Sequence, residues 1–233
     1  MTANPLAPSW LVHPVDANAL NPALWSTGAV RGTAGELSVA GVSATELVAR
    51  FGTPLYVVDE ADARHRAVHI RDAFVDAFAP LGARVTVYYA GKAFLSAEVA
   101  RWMIAEGLSI DVASGGELAL ALAAGVPPER MGFHGNNKSE EEIDRAVAAG
   151  VGVIVIDSHS EVERVSQSAS RLGTVQRVRV RANSGVNAHT HEYLATARED
   201  QKFCIALSDI PEIVASIRSQ PSLSFVGMHS HIG

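Results

Sequence analysis

The 233-residue chain contains a single cysteine, Cys204. One thiol excludes an intrachain disulfide, and such scarcity suits a reducing cytoplasm. Nowhere do about 18 uncharged apolar residues run together, so no membrane span is expected. Runs of Lys or Arg are also missing, and 19 basic against 25 acidic side chains leave a formal net charge of −6. Nucleic acid is therefore not an expected partner. The N-terminus lacks a basic stretch followed by an unbroken apolar core. Pro5, Pro8, Pro14 and Pro22 interrupt it, so it does not read as a signal peptide. The G-x-G-x-x-G turn that opens a dinucleotide-binding sheet is absent too.

What is present is ample for a sizeable core: 48% hydrophobic residues and 19% charged, enough for one large domain or two small ones. Residues 1–33 read as an irregular arm. Residues 37–40 form a candidate short strand, and 45–51 a helix with Ser43 as N-cap and Gly52 after its last turn. Residues 54–58 (P-L-Y-V-V) read as a second short strand. A long amphipathic helix follows over 59–78, closed by Pro80 and Gly82.

From Arg84 a rhythm sets in. Apolar runs begin near Arg84, Leu108, Arg130, Gly152 and Gln176, spaced by 24, 22, 22 and 24 residues. Amphipathic helices are predicted between and after them, over 96–106, 115–124, 139–149 and 160–172. A longer loop, 183–206, precedes a helix over 209–219 and a sixth strand over 223–228. Strands alternating with helices of this length imply βαβ units and a parallel sheet.

The polar residues choose between an open sheet and a barrel. Every strand ends in a polar cluster: Gly91-Lys92, Asp111, His134 to Asn137, Asp157-Ser158, Arg181 with Asn183, and His229 with His231. In a (β/α)8 barrel the active site is built at the strand C-termini. A doubly wound sheet would concentrate function at one switch point, behind the missing glycine-rich turn. The reading is a partial TIM-like barrel with six of eight βα units, since eight need about 250 residues. Within it, Lys92 has two possible fates: its ammonium snorkels to solvent, or it is desolvated and works as an amine nucleophile.

The ordered motifs Y-A-G-K-A-F (89–94), D-V-A-S-G-G-E-L (111–118), F-H-G-N-N-K-S (133–139) and G-M-H-S-H-I-G (227–233) resemble the barrel-fold pyridoxal-phosphate decarboxylases of fold-type III. The resemblance covers roughly residues 35–233. The loop G-V-N-A-H-T-H-E-Y-L (185–194), followed by Lys202-Phe203, is similar to the branch acting on diaminopimelate rather than those acting on ornithine or arginine.

The resemblance implies pyridoxal 5'-phosphate as cofactor and decarboxylation of meso-2,6-diaminopimelate to L-lysine, in a cytoplasmic homodimer. It divides the chain into residues 1–58, belonging to the family's β-domain, and a cofactor-binding barrel part, 59–233. Lys92 matches the lysine that binds the cofactor aldehyde, and Asp111 the carboxylate beside it. Asp111 also reads as an N-cap for the helix from Gly115. Arg181 matches the arginine approaching the cofactor's phenolic oxygen, although Arg177 and Arg179 share its strand face. His231 matches the histidine stacked on the pyridine ring. His134 and Asn136 are candidate cofactor contacts, whereas Lys138 reads either as part of that cluster or as a solvated helix-start residue. His189 and His191, with His134, His229 and His231, imitate a zinc set, but no thiolate is near and no metal is expected. Cys204 stands where relatives often carry glycine.

Family members continue past H-I-G with a glycine-rich phosphate loop, an E-P-G-R segment facing the pyridine nitrogen, and a C-terminal β-domain. Without them the 233 residues are expected to lack turnover. The readings left open are an enzyme with a further part, a decarboxylase of another basic amino acid, and a non-catalytic cofactor-binding or interaction module.

Overall fold

A computed structural model describes Pro8, Trp10, Asp16 and residues 18–183 and 204–231. The chain divides into two compact units, Met1–Arg66 and Ala67–Gly233.

In the first unit, β1 (Ala29–Arg31), β2 (Leu37–Val39) and β3 (Val42–Ser43) form an antiparallel sheet in that order. Ala40 and Gly41, both at positive φ (51° and 82°), make the two-residue turn between β2 and β3, the geometry whose twist suits a tight hairpin. Helix α1 (Ala44–Phe51) starts where the Ser43 side chain accepts from the Glu46 N–H at 3.1 Å. Helix α2 (Glu60–Phe78) runs across the boundary between the units. Near its start the Asp59 carboxylate accepts from Gly28 N–H and Asp62 N–H, both at 3.2 Å.

Two expectations are corrected here. The arm contains a strand, β1, and residues 54–58 form none: β1 takes the place beside β2, and Tyr56 is 96% exposed. Apolar β-branched composition made 54–58 look like a strand, but a strand exists only where a partner accepts its ladder.

In the second unit, β4 (Tyr88–Ala90), β5 (Ser109–Val112), β6 (Met131–Phe133), β7 (Val153–Ile156), β8 (Gln176–Ala182) and β9 (Leu223–Ser230) form one parallel sheet in sequence order. Helices α3 (Ala97–Ala105), α4 (Gly115–Ala123), α5 (Glu140–Ala149), α6 (His159–Arg171) and α7 (Ile210–Ser219) alternate with them. This is the expected partial (β/α)8 barrel, six strands with β4 and β9 at its edges. Serines start three of the helices: Ser96 for α3, Ser114 for α4, and Ser139 in a capping box with Glu142 for α5. Strand β4 begins later than the apolar run at Val85, because its partner β5 begins only at Ser109, bonded to Val87 O at 2.9 Å.

One sheet face carries Ile110, Val112, Met131, Phe133, Ile154, Ile156, Val178 and Val180, packed with Leu118, Ile143, Val165, Ile213 and Ile217 of the helices. Each such side chain fully buried stabilises the fold by about 1.5–3 kcal/mol. The opposite face of β8 carries Arg177, Arg179 and Arg181. Pairing of β9 with β8 shifts register once: Val178 lies opposite Phe225, but Arg179 lies opposite Gly227. Val226 is the extra residue of a bulge, and Gly227 accepts the unusual φ of 141°. Side chains alternate along a strand, so this insertion turns His229 onto the face of its neighbour Arg181.

Candidate active site

A cavity of about 430 Å³ opens at the C-terminal ends of the strands, lined by Lys92, Asp111, His134, Asn136, Arg181, His229 and His231 together with residues 90–91, 112–113 and 135. All six residues singled out from the sequence thus line one space. His189 and His191 lie outside the described residues.

Lys92 sits in a 3-10 turn, Gly91–Ala93, directly after β4. The turn hugs β5: a Cβ on Gly91 would stand 2.8 Å from the Asp111 carbonyl oxygen, so the residue before the lysine must be small. Tyr89 braces the far side by donating its hydroxyl to Phe94 O at 2.6 Å. Asp111, on β5, places Oδ1 3.0 Å from His134 Nε2. It does not cap α4; Ser114 does, because Asp111 still belongs to the strand and is too early to reach the helix N–H groups.

Arg181, and not Arg177 or Arg179, reaches the cavity, since it alone lies at the strand's C-terminal end. Its Nε lies 3.6 Å from Asp157 Oδ1, beyond hydrogen-bond distance. Both atoms are buried without a hydrogen-bond partner among the described residues. Burial raises the Asp157 carboxyl above its ordinary value, and the Arg181 charge opposes the rise.

His229 stands between two rings. Its centroid is 4.9 Å from His134 in an edge-on arrangement and 6.4 Å from His231 in a stacked one. Its Nδ1 is buried and unpaired among the described residues. Burial first, then the neighbouring positive groups, lowers its pKa from 6.5 to about 4. His231 is lowered by burial and by the charges of Arg181 and Lys92. The cavity wall therefore offers neutral imidazole rings at neutral pH, with cations from Lys92 and Arg181.

That shift has a checkable consequence. Between pH 6.5 and 4 the unfolded chain binds a proton at His229 that the folded chain refuses. The associated stability is complete above 6.5 and is lost as the pH falls toward 4. After discounting for solvent screening it amounts to about 1 kcal/mol. Urea midpoints measured from pH 7.5 to 4 should fall less steeply for His229→Gln than for the parent. Parallel curves would show that the ring titrates normally.

Lys138 corrects the reading as a solvated helix-start residue: it is 2% exposed. Its ammonium donates to Gly135 O at 2.5 Å, Val155 O at 2.8 Å and Glu161 Oε1 at 2.8 Å. Cys204 adopts φ 77°, a left-handed conformation that glycine enters most readily. Burial raises its thiol pKa. Among the described residues no three His, Cys, Asp or Glu side chains are grouped so as to hold a metal ion. No described helix is long and apolar enough to cross a membrane. Sequence reasoning placed Asp157 and His229 at strand ends without giving either a role, and it passed over Glu161, which carried no such signal.

A lysine, an arginine and flat neutral rings gather at the C-terminal ends of the parallel strands, where barrel enzymes build their sites. Residues 67–233 match the family model described as pyridoxal-dependent decarboxylase, pyridoxal binding domain. The chain belongs to the pyridoxal-dependent decarboxylases, whose cofactor is pyridoxal phosphate. It is 47% identical over 216 residues to the diaminopimelate decarboxylase of Mycobacterium tuberculosis, covering 92% of this chain and 47% of that protein. Against the Mycobacterium leprae enzyme of the same name it is 49% identical over 212 residues, covering 90% and 43%. The diaminopimelate decarboxylase of M. jannaschii, solved in co-complex with L-lysine, superposes with a TM-score of 0.77 at 30% identity, covering 89% of this chain and 48% of that one. The chain spans about half the length of the curated relatives it matches.

Proposed function

We propose that the cavity holds pyridoxal phosphate and that the protein decarboxylates meso-2,6-diaminopimelate to L-lysine. The observation that carries this is the convergence of Lys92, Asp111, Arg181 and His231, from four strand ends, on one cavity. The residues fit the cofactor. Two buried polar atoms of cavity-lining side chains, Arg181 Nε and His229 Nδ1, lack partners among the described residues, which is what a polar, anionic, planar guest would satisfy.

In this reading Lys92 holds the cofactor through its aldehyde, and Arg181 meets an anionic ring oxygen. His231 offers a ring face for stacking, while Asp111 fixes His134 by the 3.0 Å contact. Asn136 presents an amide from the loop after β6. When bound, the cofactor supplies an electron sink for the charge left on carbon as carbon dioxide departs. Among the described residues Lys92 is the one amine lining the cavity, placed to give or take a proton there. Residues 59–233 supply the cofactor-binding part and 1–58 contribute to the second domain, in a cytoplasmic homodimer.

The substrate is favoured by the relatives' names at 47–49% identity. A lysine/ornithine decarboxylase of Vibrio vulnificus, solved with cadaverine, is 25% identical with a TM-score of 0.60. Carbon dioxide release should be measured with added cofactor from meso-diaminopimelate, lysine, ornithine and arginine, using the 233-residue chain and the same chain extended to the length of its relatives. Release from meso-diaminopimelate alone, by the extended chain only, is the expected result. Release from ornithine or lysine instead would transfer the assignment to another basic amino acid. Cofactor binding without any release would leave a binding module.

A further inference from the structure

The loop after β6 and the loop after β7 both shape the cavity region, the first through His134, Gly135 and Asn136 and the second through Asp157, which faces Arg181. One buried ion pair fastens them together. Lys138 and Glu161 have side chains 1% exposed, with Nζ and Oε1 2.8 Å apart. From its end of the pair, Lys138 also binds the carbonyls of Gly135, in its own loop, and Val155, in β7. From the other end, Glu161 Oε2 accepts from the Asp157 N–H at 2.8 Å. Arg164 then returns to Lys138 O at 2.8 Å. Every hydrogen of the ammonium is spent and both carboxylate oxygens are engaged. Burial pulls the Lys138 ammonium below its ordinary value, and the Glu161 charge pulls it back.

Buried ion pairs are poor stabilisers, since desolvation consumes much of the Coulomb gain. Apolar residues of similar volume would hold the interior as well. What they would not do is hold the Gly135 carbonyl and the Asp157 N–H at fixed positions. We propose that Lys138 and Glu161 are positioning residues for the cofactor cavity: their pair sets where Asn136 and the Asp157–Arg181 contact stand relative to each other. Neither side chain lines the cavity, so both act through the loops they join. The proposal rests on the cavity holding pyridoxal phosphate, and not on the identity of the substrate.

The test is a split between stability and affinity. Lys138→Met combined with Glu161→Leu removes both charges at similar volume, and its thermal midpoint should stay within a few degrees of the parent. Its Kd for pyridoxal phosphate, followed by absorbance titration, should rise about tenfold or more. Should that variant fail to fold, Lys138→Gln with Glu161→Gln replaces it and is read the same way. A folded double variant that binds the cofactor as tightly as the parent would overturn the positioning role. A parent protein that does not bind the cofactor would overturn the reading of the cavity itself, and the proposal with it.

Discussion

Lys92→Ala should leave a folded protein that no longer retains pyridoxal phosphate covalently. The chain has only three lysines, Lys92, Lys138 and Lys202. Lys138 is committed to the pair with Glu161 and lies outside the cavity lining. Among the described residues Lys92 is the lysine lining the cavity, held there by a turn whose geometry depends on Gly91 and Tyr89. Its own side chain is exposed, so truncation should change stability by no more than about 0.5 kcal/mol. In the chain extended to the length of its relatives, loss of an amine that forms a covalent bond should lower turnover about a thousandfold or more. Borohydride reduction of the cofactor-loaded protein, followed by peptide mapping, should place the label on the Lys92 peptide and leave Lys92→Ala unlabelled. A label on Lys138 or Lys202 in the parent would remove Lys92 from the centre of the site.

Much of this architecture can be read from spacing. The repeat of about 22–24 residues fixed the order of strands and helices, because a βαβ unit has a minimum length and each helix here starts on a small polar residue, as at Ser96, Ser114 and Ser139. The site was legible for a related reason: a parallel barrel gathers its strand ends, so polar residues at those ends become neighbours without any knowledge of contacts.

What escaped depended on partners distant in sequence. Lys138 looks solvated at the start of α5, since nothing nearby shows that Glu161 arrives from the first turn of α6 to neutralise it. Residues 54–58 look like a strand until the place beside β2 is taken by β1. The facing of His229, a residue legible at its strand end, is the subtlest case. Strict alternation from Phe225, which packs against the core, would send His229 to the same apolar face. The bulge at Val226-Gly227 reverses the phase and delivers it to the cavity. A glycine in a strand hints at such a bulge, but not at its effect on which residues face inward.

Two glycines, one within β6 and one just before β7, should give opposite outcomes when replaced by alanine, and the contrast separates site from scaffold. Gly132, in β6, faces Asp111: a Cβ there would stand 2.5 Å from Asp111 Oδ1 and 3.5 Å from both His134 Nε2 and Tyr88 Cε1. The obstructing atom is the tip of a partly exposed side chain, which can swing away. Doing so breaks its 3.0 Å contact with His134 and moves a carboxylate in the cavity wall. Gly132→Ala should therefore melt within a few degrees of the parent while its Kd for pyridoxal phosphate rises about tenfold or more, the size of one lost charge-assisted contact. Gly152, at the entry to β7, would instead drive a Cβ to 2.1 Å from Glu129 O and 2.8 Å from Glu129 C. Those are backbone atoms, and Gly152 N–H is itself bonded to Pro128 O at 2.9 Å, so the clash has no side chain to displace. Gly152→Ala should cost about 3 kcal/mol, roughly 6–12 °C in Tm for a chain of this size. Below its melting range it should bind cofactor like the parent, because Gly152 is at the opposite end of the strand from the cavity. If Gly132→Ala melts early with undiminished affinity, Gly132 serves the packing of β6, and Asp111 has no part in holding the cofactor.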